Sequence, residues 1–90
     1  MSGESERIIS MNGRIDYYKD SEGRKVGPAR VYSKDDDGPG LAMSRSLGDT
    51  VAEKLGVIPI PDIKICKRLP EKDRALVLCS DGVTEFLTND

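Results

Sequence analysis

Residues 40–49, which read GLAMSRSLGD, and residues 80–82, which read SDG, are the most informative parts of this sequence. Both stretches are polar turns with glycine, and apolar segments connect them. Asp81 follows an apolar run and precedes Gly82, so its carboxylate is well placed to hold a hard, oxygen-preferring metal ion. An Asp-Gly turn after a strand, or a helix N-cap, explains the same residues without a metal. The tripeptide alone leaves these alternatives open.

The composition limits the chain to at most one small domain and argues against several functions. The ninety residues carry a net charge of −2 and scattered Lys and Arg, without the basic stripe that nucleic-acid binding needs. No apolar run approaches the roughly 20 residues of a membrane span. The chain has no histidine, which excludes Ser-His-Asp and Cys-His catalysis and the usual zinc sites. We therefore expect neither a nucleic-acid nor a membrane partner.

The two cysteines suggest a cellular compartment. Cys66 and Cys79 lie in apolar, strand-like segments. We expect buried free thiols, with a pair facing each other across a hairpin as the alternative. Free thiols fit a reducing cytoplasmic or nuclear setting.

The N-terminal half predicts short helices and a hairpin. A helix over residues 4–11 ends at Asn12, a good left-handed cap before Gly13. Strands over residues 14–18 and 25–32 flank a turn at residues 20–23.

The middle of the chain predicts a short helix and a local ion pair. Thr50 and Glu53 match a capping box, and Gly56 ends the helix that follows. Arg45 and Asp49 stand four residues apart, which favours an ion pair on one helical face. The alternative is that the Arg45 guanidinium holds a phosphate.

The C-terminal half predicts two strands and the start of a helix. Ile63, Ile65 and Leu69 alternate with charged residues, which is typical of a half-buried strand. Residues 75–79 form a continuous apolar run, which predicts a central strand buried on both faces. A helix begins within residues 83–87.

Several segments resemble the metal-dependent protein phosphatase 2C family. Residues 39–49, 56–63 and 75–90 are similar to three of its signatures in the expected order. Residues 27–32 resemble the segment that leads in from the flap of plant and protozoan members. The resemblance implies an α+β fold, a partial αββα sandwich of antiparallel strands and short helices. It also implies that residues 1–90 are part of one catalytic domain, with residues 14–38 as a flap-like segment that influences substrate choice.

The same resemblance implies a serine/threonine phosphatase with two Mn²⁺ or Mg²⁺ ions. A hydroxide that bridges the ions attacks phosphoserine or phosphothreonine in a phosphoprotein substrate. Asp81 matches a metal-ligating aspartate of the family, whereas Arg45 and Asp49 match a motif of mainly architectural support. Glu85 stands where the family often has Asp, and its role as a ligand of a weaker ion stays open.

The early Glu-Asp and Asp-Gly-His-Gly motifs of the family and its late Asp-Asn pair do not occur in this sequence. We therefore expect a central-to-late segment of the domain that is inactive alone and that self-associates through an unpaired sheet edge. The alternative is a non-catalytic, phosphatase-like binding or regulatory module. The retained Asp81 favours the enzyme.

Overall fold

The computed structural model describes residues 3–90 as short helices and a three-stranded antiparallel sheet. In chain order the elements are α1 (Gly3–Ser10), β1 (Gly13–Lys19), β2 (Lys25–Ser33), β3 (Pro39–Leu41), α2 (Thr50–Glu53) and α3 (Asp81–Thr84). The strands lie in the order β1-β2-β3. This architecture confirms the predicted α+β class with antiparallel strands and short helices.

Local signals determine the helix end and the hairpin, and both predictions are confirmed. Asn12 has a φ of 63°, the left-handed conformation that ends a helix, and β1 begins at the next residue. In the hairpin turn, the Asp20 carboxylate accepts the backbone N–H groups of Glu22 and Arg24, each at 2.9 Å. The two strands then pair with Ile15 opposite Val31.

The core is small and lies on one face of the sheet. Five side chains are buried: Ile8, Val31, Ala52, Leu55 and Val57. Ile15 and Leu41 pack against them. The core therefore joins α1, the sheet and the segment around α2.

Gly56 fixes the way the chain leaves α2, as predicted. Its φ is 87°, and its N–H donates to the carbonyl of Glu53 at 3.2 Å. The N–H of Val57 donates to the carbonyl of Ala52, also at 3.2 Å. These two bonds form a Schellman motif, in which glycine readily adopts the left-handed conformation. Val57 is thereby directed into the core, where it is 1% exposed.

The predicted capping box is wrong in one respect, because Asp49 caps α2 instead of Thr50. The Asp49 carboxylate accepts the N–H of Ala52 at 3.2 Å. Aspartate is at least as good an N-cap as threonine. With Asp49 as the cap, Thr50 becomes the first helical residue.

The two strands predicted in the C-terminal half do not form within the described residues, so those predictions are wrong for this structure. Residues 59–90 add no strand to the sheet, and Leu76, Val77 and Leu78 are all exposed. An apolar run becomes a central strand only where neighbouring strands pair with its backbone and apolar layers cover its faces. Within residues 3–90 no strand pairs with this run and no apolar layer covers it.

The same absence of covering layers explains why both cysteines are exposed. Cys66 and Cys79 are free thiols, as predicted, but both are exposed, so the prediction of buried thiols is wrong. No helix within residues 3–90 is long and apolar enough to cross a membrane.

Candidate functional site

Asp81 lies at the start of α3, directly after the exposed apolar run. Ser80 is the N-cap in an extended conformation, so Asp81 occupies the first helical position. The helix therefore begins two residues earlier than the sequence predicted. The N–H of Glu85 donates to the backbone carbonyl of Asp81 at 2.8 Å, which places the two acidic residues one turn apart. Both side chains are exposed.

Asp81 has too few neighbouring ligands to hold a metal ion by itself. Within residues 3–90, no three His, Cys, Asp or Glu side chains come together as a metal-binding group. Mg²⁺ requires near-octahedral oxygen coordination, and a two-metal centre needs ligands for both ions. The residues described here do not fit such a centre alone, and a complete one requires further ligands.

A carboxylate in α1 binds the signature at residues 40–49 through Arg45. Glu4, in the first turn of α1, accepts hydrogen bonds from both Arg7 and Arg45, and the shortest bond to each is 2.7 Å. Each guanidinium donates to both carboxylate oxygens. We call Glu4, Arg7 and Arg45 the Glu4 clamp.

The two arginines of the Glu4 clamp also donate hydrogen bonds to backbone carbonyls of two segments. Arg7 donates to the carbonyls of Gly56 at 2.8 Å and Ser44 at 2.9 Å. Arg45 donates to the carbonyl of Ile60 at 2.8 Å. Residues 44–46 and 58 pair directly as well, since the N–H of Ser46 donates to the carbonyl of Ile58 at 3.2 Å. The clamp thus fixes the signature segment against α1 and against the chain after α2.

The charges of the clamp stabilise one another's ionised forms. The Arg7 guanidinium, followed by that of Arg45, holds the pKa of Glu4 well below its usual range. The Glu4 carboxylate in turn raises the pKa of Arg7 and of Arg45. At neutral pH the clamp is therefore fully charged.

The predicted ion pair between Arg45 and Asp49 is wrong, because each side chain has a different partner. Arg45 pairs with Glu4, whereas Asp49 caps α2. The stretch that separates them is irregular and not a helix, so the four-residue spacing does not place them on one face. Glu4 and Arg7 were not predicted from the sequence as members of the site. Their three-residue spacing on a helix signals their own pairing, but nothing in the sequence signals Arg45 as the third member.

A second group of polar side chains lies on the face of the hairpin that points away from the core. The Arg14 guanidinium stacks on the Tyr32 ring, with 4.8 Å to the ring centre, and pairs with Asp16 at 3.0 Å. An open cavity of about 460 Å³ lies here, and all three tyrosines of the chain, Tyr17, Tyr18 and Tyr32, help to line it. This cavity lies within the predicted flap-like segment, residues 14–38.

Comparisons with known proteins agree on one family. The sequence profile described as "Protein phosphatase 2C" matches residues 1–90. The chain is 38% identical to "Probable protein phosphatase 2C 65" of Arabidopsis thaliana over 97% of its own length and 22% of that protein. It is 40% identical to "Probable protein phosphatase 2C 18" of the same plant over 99% and 17%. It is 38% identical to "Probable protein phosphatase 2C 48" of Oryza sativa subsp. japonica over 97% and 23%.

The chain therefore spans about a fifth of the length of these curated relatives. No solved structure matches it significantly. The profile covers every residue, including the signature at residues 40–49 and the turn at Asp81, which carry the sequence resemblance. The chain belongs to the protein phosphatase 2C family.

Proposed function

We propose that this chain is part of a Mn²⁺- or Mg²⁺-dependent phosphatase that removes phosphate from serine and threonine side chains of phosphoproteins. The observation that carries the proposal is the family match over all ninety residues. Because the chain spans only about a fifth of its relatives, we assign the activity to a protein that contains these residues together with the rest of the domain. The ninety residues alone are inactive under this proposal.

Within that protein, Asp81 supplies one metal ligand. Its support is an exposed carboxylate in the first turn of α3, at a position that matches the family's motif. The other ligands come from outside the described residues, since no group of three candidate ligands lies within them. Arg45 and Asp49 support the site structurally, through the Glu4 clamp and the cap of α2.

The flap-like segment contacts the substrate under the same proposal. Its support is the open cavity beside Arg14 and Tyr32, where aromatic rings and charges of both signs face solvent. Tyrosine is well suited to such a surface, because it offers a large apolar ring and a hydroxyl group that forms hydrogen bonds.

The proposal also includes a cellular location and a mode of self-association. A cytoplasmic or nuclear location is supported by the two exposed free thiols, which persist in reducing compartments. Self-association through a sheet edge is supported by the strand order, because the outer edges of β1 and β3 are unpaired within residues 3–90.

The first test is the activity of the ninety-residue chain with Mn²⁺ and p-nitrophenyl phosphate. We expect no metal-dependent turnover, because one carboxylate does not hold two ions. Metal-dependent turnover by the purified chain would refute the claim that further ligands are required.

The second test uses a longer chain, cloned with its flanking coding region. We expect Mn²⁺-dependent activity that falls at least roughly 100-fold in Asp81→Asn, since even outer-shell partners of a metal cost 10- to 100-fold when removed. The matched control is Asp73→Asn, an exposed aspartate outside the flap-like segment, where asparagine still offers an oxygen to the N–H of Leu69. Equal activity of the two variants would remove Asp81 from the metal site.

The competing function is a non-catalytic phosphatase-like module that binds or regulates. Flanking sequence without the early Asp-Gly-His-Gly motif and the late Asp-Asn pair would favour it. An inactive longer chain that still binds a phosphopeptide would establish it instead of the enzyme.

A further inference from the structure

The junction between α1 and β1 places special demands on residues 12 and 13. Asn12 has a φ of 63°, a left-handed conformation that asparagine adopts more readily than most residues with a Cβ. Gly13 is buried where α1, β1 and the chain after α2 meet. A Cβ on Gly13 would lie 2.5 Å from Cγ2 of Ile8 and 2.8 Å from the carbonyl oxygens of Ile8 and Leu55. Only glycine therefore fits at position 13, and asparagine is one of the few residues that suit position 12.

Asparagine followed by glycine is a chemically labile pair, because a residue without a Cβ leaves its own backbone nitrogen unshielded. The Gly13 nitrogen attacks Cγ of Asn12, and ammonia leaves with the proton of that nitrogen. Water then opens the five-membered ring. Where water adds to the main-chain carbonyl carbon, the bond from that carbon to nitrogen breaks, and the product is isoaspartate, whose main chain runs through Cβ and Cγ. Where water adds at Cγ, the product is aspartate.

The fold fixes the orientation of the peptide unit between Asn12 and Gly13. The carbonyl oxygen of Asn12, which belongs to this unit, accepts the N–H of Lys34 at 3.3 Å. Gly13 pairs with Ser33 in the sheet, and its Cα lies against α1 and the carbonyl of Leu55. Ring closure requires the Gly13 nitrogen to rotate toward the Asn12 side chain, so the junction must open first. All of these contacts are made by residues 8–55, so the protection needs no other part of the domain.

We propose that Asn12 is a site of spontaneous deamidation and that opening of the junction between α1 and β1 controls its rate. Isoaspartate makes the opening permanent, because its longer main chain displaces Gly13 from the close contact with Ile8 and Leu55. The new carboxylate also lies just beyond the C-terminal end of α1, where the helix dipole disfavours an anion. Since α1 carries two members of the Glu4 clamp, the modification weakens the hold of the clamp on the signature segment. The modification does not depend on phosphatase activity.

Mass spectrometry of the ninety-residue chain tests the site and its protection. The chain has two asparagines, Asn12 and Asn89, and no glutamine, so each lost amide is assigned to one of two peptides. At mildly alkaline pH we expect Asn12 to lose its amide at least roughly 10-fold more slowly in buffer than in denaturing guanidinium chloride, because the reaction requires local opening. Asn89 is the internal control, since it lies in the exposed, irregular C-terminal segment. We expect its rate to be similar in the two solutions.

The consequence for the fold is measured on the separated products. Ion exchange isolates the modified chains, which carry an added negative charge, and peptide fragmentation distinguishes isoaspartate from aspartate. We expect the isoaspartate chain to have a lower Tm than the unmodified chain and faster hydrogen exchange at the N–H of Ser46, which donates to Ile58 beside the clamp. Asn12→Asp is the control for charge, since it adds the carboxylate without lengthening the main chain, and we expect a smaller loss of Tm. Asn12→Gly keeps the left-handed residue and removes the amide, so we expect a Tm close to that of the wild type and no reaction at this position.

Three results would overturn the proposal. The first is equal rates of amide loss at Asn12 in buffer and in denaturant, which would mean that the junction gives no protection. The second is an Asn12 amide that persists in denaturant, which would mean that the pair is not labile. The third is an isoaspartate chain with the Tm of Asn12→Asp, which would mean that the junction accommodates the longer main chain. Each result leaves the phosphatase proposal untouched, because that proposal is tested on the longer chain by metal-dependent turnover.

Discussion

The close approach of Gly56 to α1 leads to the sharpest prediction for the fold. A Cβ at this position would lie 2.9 Å from the Cα of Ile8 and 3.0 Å from the carbonyl oxygen of Arg7. Both atoms belong to the backbone of α1, so they do not move aside as a flexible side chain would. Gly56→Ala therefore forces the helix away from the chain. The left-handed φ costs roughly 1–2 kcal/mol, and the overpacking costs roughly 1–3 kcal/mol more.

The matched control is Gly48→Ala. Gly48 has a similar φ of 72°, but nothing lies within 4 Å of its hypothetical Cβ. It incurs the conformational cost of roughly 1–2 kcal/mol without the collision. Urea unfolding followed by circular dichroism, at one chain concentration, measures the free energy of unfolding of both variants. We expect Gly56→Ala to lose roughly 1–3 kcal/mol more than Gly48→Ala. Equal losses would refute the argument that the backbone contact with α1 requires glycine.

Three further predictions concern the polar contacts. Asp49→Ala should lower the free energy of unfolding by about 1 kcal/mol in urea, whereas Asp49→Asn should keep the cap. The pKa of Glu4 is lowered in the folded chain, so its ionised carboxylate adds to the free energy of unfolding above the ordinary pKa of 4.5. This stabilisation is lost as the pH falls below that value. The Tm of the wild type should therefore drop more steeply than that of Glu4→Gln between pH 5 and pH 2, and parallel curves would contradict this. Arg45→Lys should lower the Tm more than Arg24→Lys, because lysine lacks the planar fork that serves Glu4 and Ile60 together, and Arg24 lies in an exposed turn.

The sequence predicted the parts of the fold that local residues determine. Asn12 ends α1, Asp20 organises the hairpin turn, and Gly56 ends the turn after α2. Each of these signals acts on residues only a few positions away, so the local sequence is enough to predict the helix end or the turn. The cap of α2 was assigned one residue too late, because both Asp49 and Thr50 are residue types that favour this position.

The predictions that failed depended on partners far away in the sequence. Glu4 and Arg45 are 41 residues apart, and no local pattern predicts that they meet. The apolar run at residues 75–79 has the composition of a buried strand, yet composition does not supply the neighbouring strands that bury it. Asp81 is a candidate metal ligand from its tripeptide and its family motif, and the structure adds its position in the first turn of α3.

The structure divides the chain into a scaffold and an exposed segment that carries the candidate metal ligand. In the signature at residues 40–49, Arg45 and Asp49 use their polar groups to hold the backbone of residues 3–60 together. That leaves Asp81 as the candidate for chemistry, and it follows directly after an apolar run that nothing covers among the described residues. Covering the run as a strand fixes the strand end and therefore the position of the Asp81 carboxylate. We thus expect metal binding at Asp81 to require the rest of the domain, both for the missing ligands and for the strands that cover residues 75–79.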